Sequence, residues 1–172
     1  MSLSLWIGAL LIPVAVLLVD AGRRKLTLMR IARPFLITAV IVPFVMPGFD
    51  LQGRGLLLEI VGIVVGALLG LAASALMKVE YDGGSRMVMT VAGAPYVLIW
   101  GAVSAARTLF AYEAEESVSF QRSLGEFLVS NHISPAALAD AIMFLGFAML
   151  IAQRGSLFLR SRRLTPAAVS AA

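Results

Sequence analysis

Apolar residues along this chain run in long blocks instead of alternating or recurring on one stripe, and the blocks are separated by short, charged, turn-rich segments. A bilayer core about 30 Å thick needs roughly 20 apolar residues to cross it as a helix. Five blocks approach that length, at residues 3–19, 34–49, 55–77, 91–112 and 134–153. The first is followed, not preceded, by Arg23, Arg24 and Lys25, the reverse of a secretory leader, so it is expected to be retained. The second carries Pro43 and Pro47-Gly48, and a kink is expected at Pro43, which removes an intrahelical hydrogen bond. Glu59, Arg107 and Asp140 interrupt the third, fourth and fifth blocks. Ser134-Pro135 supplies a capping serine and a first-turn proline at the start of the fifth.

Two segments depart from this pattern. Residues 78–90 alternate around Asp82-Gly83-Gly84-Ser85, which predicts a β-hairpin. Residues 113–131 place Phe120, Leu124, Phe127 and Leu128 at helical spacing, which predicts an amphipathic helix lying on a membrane surface. The expected fold is therefore an all-α membrane protein. It is a single domain over residues 1–172, a bundle of five transmembrane helices with a short cytoplasmic hairpin and an external amphipathic helix.

Composition sharpens the class. Of 172 residues, 60% are hydrophobic and 14% charged, with mean hydropathy +0.93. Soluble domains are nearer half apolar and a quarter charged, so a water-soluble enzyme or a disordered tail is excluded. There is no cysteine, which removes disulfides, thiolate chemistry and cysteine-ligated metals, and there is one histidine, His132, expected at the surface. The eight methionines do not pair with histidine or cysteine as a copper site requires. No cofactor, metal site or catalytic constellation is expected.

The net charge of +4 is a matter of topology. Eleven of the 14 basic residues fall in the first loop (Arg23, Arg24, Lys25, Arg30, Arg33), the third loop (Lys78, Arg86) and the C-terminal segment (Arg154, Arg160, Arg162, Arg163). Glu113, Glu115, Glu116 and Glu126 fall on the other side. The positive-inside rule then places the N-terminus outside and the C-terminus in the cytoplasm. Nucleic acid is not an expected partner. The arginine-rich composition points to a bacterial source, hence to the bacterial cytoplasmic membrane.

Three sets of residues carry candidate roles. Glu59, Arg107 and Asp140 all lie within about 8 Å of the outer ends of their blocks at 1.5 Å per residue. They form either a small polar site for a proton, a cation or an anionic headgroup, or a structural ion pair between helices. Gly62, Gly66, Gly70 and Ser74 recur every four residues and predict a close helix contact, within one chain or in a homodimer or larger complex. Gly101 and Ala105 offer a facing surface for it. Arg154, Arg160, Arg162 and Arg163, interleaved with Leu157, Phe158 and Leu159, are expected to hold lipid headgroups at about 1 kcal/mol each. Trp100, mid-block, is expected to pack or to line a cavity.

The layout resembles the CcdC-like family of small bacterial membrane proteins. The resemblance covers most of the chain and rests on features in one order. These are a basic first loop ending in Arg33-Pro34, a helix with Gly66 and Gly70, a hairpin around Val79-Glu80-Tyr81 and Arg86, a helix with Arg107, and a last helix running into Arg154 and beyond. The long acidic loop from Glu113 to Glu126 departs from it. The resemblance implies a multi-span protein associated by name with cytochrome c biogenesis, and it implies no catalytic residue. Lacking cysteine, this chain cannot relay electrons by thiol exchange. The expected function is a non-enzymatic accessory or scaffold protein of the membrane. The alternative is a small transporter or lipid-binding protein working through Glu59, Arg107 and Asp140.

Overall fold

A computed structural model describes residues 22–25, 32, 36, 54–84 and 87–170, with the side chains of 22–25 and of 165–170 left undescribed. In chain order the described elements are β1 (Gly22–Lys25), α1 (Arg54–Ala75), β2 (Met77–Asp82), β3 (Met87–Ala92), α2 (Ala94–Glu116), α3 (Val118–Ser130) and α4 (Pro135–Ser170). Three of the helices are long and apolar enough to cross a membrane: α1, α2 and residues Pro135–Leu164 of α4. These correspond to the third, fourth and fifth predicted spans. The other two, 3–19 and 34–49, together with Pro43 and Pro47, lie outside the described residues except for Leu36.

Helix α1 is built inside out relative to a helix in water. Its buried residues are Gly55, Glu59, Gly62, Gly66, Gly70, Ala73 and Ser74, whereas Leu57, Ile60, Val61, Ile63, Val64, Val65, Leu68 and Leu71 are exposed. In water the branched residues would drive packing. In hydrocarbon they gain nothing by burial, and the small residues that allow backbones to approach form the contact.

That contact is with α4. A Cβ added to Gly62 would lie 2.5 Å from the Ala141 carbonyl oxygen, and Cβ atoms on Gly66 and Gly70 would strike the Leu145 and Met149 carbonyls in the same way. The partners advance in step, so α1 and α4 run parallel in a constant register. The stripe is therefore consumed within the chain, and its partner differs from the one expected. A Cβ on Gly101 meets nothing within 4 Å and Ala105 is exposed. Helix α2 runs antiparallel to both.

The predicted hairpin forms, with Asp82 opposite Met87. It is joined by a strand that was not expected: β1 pairs antiparallel with the other edge of β3, Gly22 opposite Ala92 and Lys25 opposite Met89, giving the order β1-β3-β2. Leu76 alone separates α1 from β2, and Gly93 alone separates β3 from α2, so the sheet closes one end of the helices. The core concentrates at this junction, where Ala73, Met77, Ala92, Tyr96, Met149 and Leu157 are buried together.

At the opposite end, α2 continues through Glu113–Glu116, four residues past its predicted end, before the chain turns into α3. The predicted surface helix is thus shorter, Val118–Ser130, capped by Ser117, whose Oγ accepts from the Phe120 amide. The Gln121 amide donates to the Ala114 and Glu115 carbonyls, and Phe120 meets Phe110 edge to face at 5.6 Å. His132, exposed, takes φ 54°, reversing the chain into α4. There Ser134 caps as expected, accepting from the Ala137 amide at 3.1 Å. Helix α4 then continues well past Gln153, so the basic C-terminal segment extends a helix that was expected to stop.

Candidate functional site

The polar groups that the fold brings together lie at the sheet end of the helices, around Gln153. Its side chain is fully buried. The amide nitrogen donates to Tyr96 Oη at 3.1 Å and lies 3.6 Å from Met77 Sδ, while the amide oxygen accepts from Trp100 Nε1 at 3.2 Å. One residue of α4 thereby reads two positions one turn apart on α2 and the first residue of β2. Trp100 is therefore more than a packing residue.

One turn away, Ser74 Oγ donates to Ser156 Oγ at 3.0 Å, again linking α1 and α4. The Ser74 carbonyl accepts from Arg160 Nη1 at 2.7 Å. The last carbonyls of a helix have no intrahelical donor, and α1 has no basic residue in its last turn. Arg160, from the neighbouring helix, supplies the missing cation. Replacing Arg160 with alanine should lower bundle stability by about 1 kcal/mol, read as a lower thermal midpoint in detergent. Arg162→Ala, at an exposed position, should change it by less than half as much.

The four arginines expected to hold headgroups differ in their surroundings. Arg154 is 6% exposed and Arg160 is committed to Ser74, because α4 stays helical and turns both toward its neighbours. Arg162 and Arg163 are exposed; Arg162 lies 5.6 Å from the Phe158 ring centroid.

Glu59, Arg107 and Asp140 are spread along the helices. The Arg107 guanidinium crosses from α2 to Gly146, where Nη1 would be 3.0 Å from an added Cβ. Gly146 follows Leu145, whose carbonyl packs on Gly66, so the guanidinium lies near the middle of α1. Glu59 is seven residues nearer the start of α1, about 10 Å along the axis, and Asp140 is six residues before Gly146, about 9 Å. Side chains tilt toward the N-terminus of their own helix. Glu59 and Asp140 therefore lean toward one end and Arg107, on the antiparallel α2, toward the other. Glu59 is buried on the stripe facing α4, and Asp140 is half-buried.

The residues that sequence reasoning missed are Gln153, Tyr96 and Met77. A signal existed: Tyr96 and Trp100, one turn apart, put two polar-tipped aromatics on one helix face. At the far end Arg54 Nη1 donates to Asn131 Oδ1 at 2.8 Å, tying the start of α1 to the loop before α4. Among the described residues no group of three or more His, Cys, Asp or Glu side chains could hold a metal ion. No known protein family, curated protein or solved structure matches this chain.

Proposed function

We propose that this is a non-enzymatic accessory or scaffold protein of the bacterial cytoplasmic membrane, crossing it five times with the N-terminus outside and the C-terminus in the cytoplasm. The observation that carries this reading is the use made of the interior polar groups. Gln153 bonds to Tyr96 and Trp100, and Ser74 bonds to Ser156 and Arg160, two sets of bonds that cross between helices and fix their register. Such a network rigidifies a frame.

The positions of β1 and α1 support the number of crossings. β1 belongs to the sheet, at the end where α1 finishes, whereas Arg54 begins α1 at the far end. The chain between residues 25 and 54 thus covers the length of α1, about 33 Å at 1.5 Å per residue. The wide axial spacing of Glu59, Arg107 and Asp140 weighs against the transporter reading.

Affinity purification from native membranes in mild detergent tests the role. A stoichiometric protein partner is expected, and the CcdC-like resemblance directs the search toward the cytochrome c biogenesis machinery. Recovery of the protein alone, with bound lipid and no partner, would favour a lipid-binding or transport role instead.

A further inference from the structure

We infer that Arg162 and Arg163, at the sheet end of α4, hold the phosphate of an anionic phospholipid whose acyl chains lie against Leu159. The bound lipid anchors the end of the helix. This goes beyond the accessory role and does not depend on it.

Helix lengths set the level of the site. α1 has 22 residues, about 33 Å, close to the roughly 30 Å of a hydrocarbon core. The apolar stretch of α4, Pro135–Leu164, has 30 residues, about 45 Å. That matches a bilayer with its headgroup layers included, about 40–45 Å. Gly62, Gly66 and Gly70 face Ala141, Leu145 and Met149, and the same register carried forward brings Ala75, the last residue of α1, level with Arg154. The backbone of Arg162 and Arg163 therefore lies about 12 Å past the end of α1. Helical side chains lean toward the N-terminus of their helix, here back toward the membrane. Two contacts show the lean. Arg160 reaches the Ser74 carbonyl at 2.7 Å, and the Arg162 guanidinium lies 5.6 Å from the ring centroid of Phe158, one turn earlier. One turn is about 5 Å, which returns the charge to about 7 Å past α1, within the headgroup layer.

Residues 159, 162 and 163 share one face of α4, at i, i+3 and i+4. All three are exposed, Leu159 at 60%, whereas Leu157 and Ser161 between them and the core are buried. An apolar side chain thus lies about one turn nearer the bilayer centre than two guanidinium groups. Acyl chain and phosphate follow the same order in a lipid. Guanidinium groups bind phosphate through paired hydrogen bonds, and a zwitterionic lipid would bring its own cation to the pair. Asp140 is the only acidic residue of α4, about 33 Å back along the axis, so the helix sets no carboxylate beside the pair. Arg154 is buried and Arg160 is bound to Ser74, which leaves both outside the site. The depth and the exposed leucine favour a lipid over an acidic segment of a soluble protein.

The test titrates the full chain, purified in a neutral detergent, with equal amounts of phosphatidylglycerol and phosphatidylcholine of one acyl length. Bound lipid is counted by native mass spectrometry. Phosphatidylglycerol should bind at least tenfold more tightly. Arg162→Gln and Arg163→Gln should each lower that preference by about fivefold, and the double variant should abolish it. Arg160→Gln, and Arg122→Gln at an exposed position on α3, should leave it within twofold. Equal binding of the two lipids, a preference unchanged in the double variant, or an equal fall in Arg160→Gln would overturn the inference. Displacement of phosphatidylglycerol by an equal concentration of glycerol 3-phosphate would also overturn it, by assigning the pair to a free phosphate. So would an acidic soluble protein that co-purifies with the wild type and is lost in the double variant while no lipid preference is seen. Failure on lipid preference would leave the accessory role standing, because that role is read from a protein partner.

Discussion

Replacing Gly66 with leucine should separate α1 from α4 and cost at least about 3 kcal/mol of bundle stability, the upper end of what overpacking a close contact costs. The obstacle is the Leu145 backbone carbonyl, which a side chain at residue 66 would strike directly. A flexible side chain could swing aside, but a helix carbonyl moves only with its helix. The neighbouring contacts of Gly62 with Ala141 and Gly70 with Met149 hold that helix in the same register. Relief at one position therefore loosens all three. Gly66→Ala should cost about 1–3 kcal/mol, and Gly101→Ala, with nothing within 4 Å of the new Cβ, should stay within about 0.5 kcal/mol. Thermal unfolding in detergent, followed by helical circular dichroism, would check the series. If Gly66→Leu unfolded at the wild-type temperature, the parallel α1–α4 contact would be wrong.

Gln153→Leu should be the second most damaging single change, at about 2 kcal/mol. Leucine fills much of the volume but leaves the Trp100 indole N–H without its acceptor and removes a donor from Tyr96 Oη. Each buried group deprived of its partner costs roughly 1–3 kcal/mol in water-soluble proteins, and interhelical bonds in membranes average less. A cycle pairing Gln153→Leu with Trp100→Phe would isolate the indole–amide bond, and a coupling near 1 kcal/mol is expected. The Trp100 emission, read in a Trp6→Phe background, should shift in Gln153→Leu. A coupling near zero would mean that the two side chains do not act together.

Much of this architecture is written in local pattern. Long apolar runs announce α1, α2 and the first part of α4, and Ser134-Pro135 marks the start of α4 because a cap and a first-turn proline act within a few residues. Asp82-Gly83-Gly84 marks the hairpin for the same reason. The parts that escape sequence reading depend on distant chain. Gly22-Arg23-Arg24-Lys25 reads as a charge cluster, and it becomes a strand by pairing with β3, some 65 residues away. The arginines after Gln153 read as a stop, yet α4 continues because Leu157 is buried in the core and Arg160 reaches the end of α1. Glu113, Glu115 and Glu116 likewise read as part of a loop but complete α2. That extension is part of why Arg107 lies deeper than a count from Tyr112 suggests. The stripe of Gly62, Gly66, Gly70 and Ser74 was legible as a close contact. Its partner was not, because spacing on one helix says nothing about which neighbour fills the groove.

The central claim is that the sheet and α3 lie on opposite sides of a membrane, the sheet inside. Because the chain has no cysteine, single substitutions at Ser4, Gly84, Ser123 and Ser170 can each be probed with a membrane-impermeant maleimide in intact cells and after permeabilisation. Ser4→Cys and Ser123→Cys should label in intact cells, and Gly84→Cys and Ser170→Cys only once the membrane is opened. Labelling of Gly84→Cys and Ser123→Cys from the same side would contradict the account.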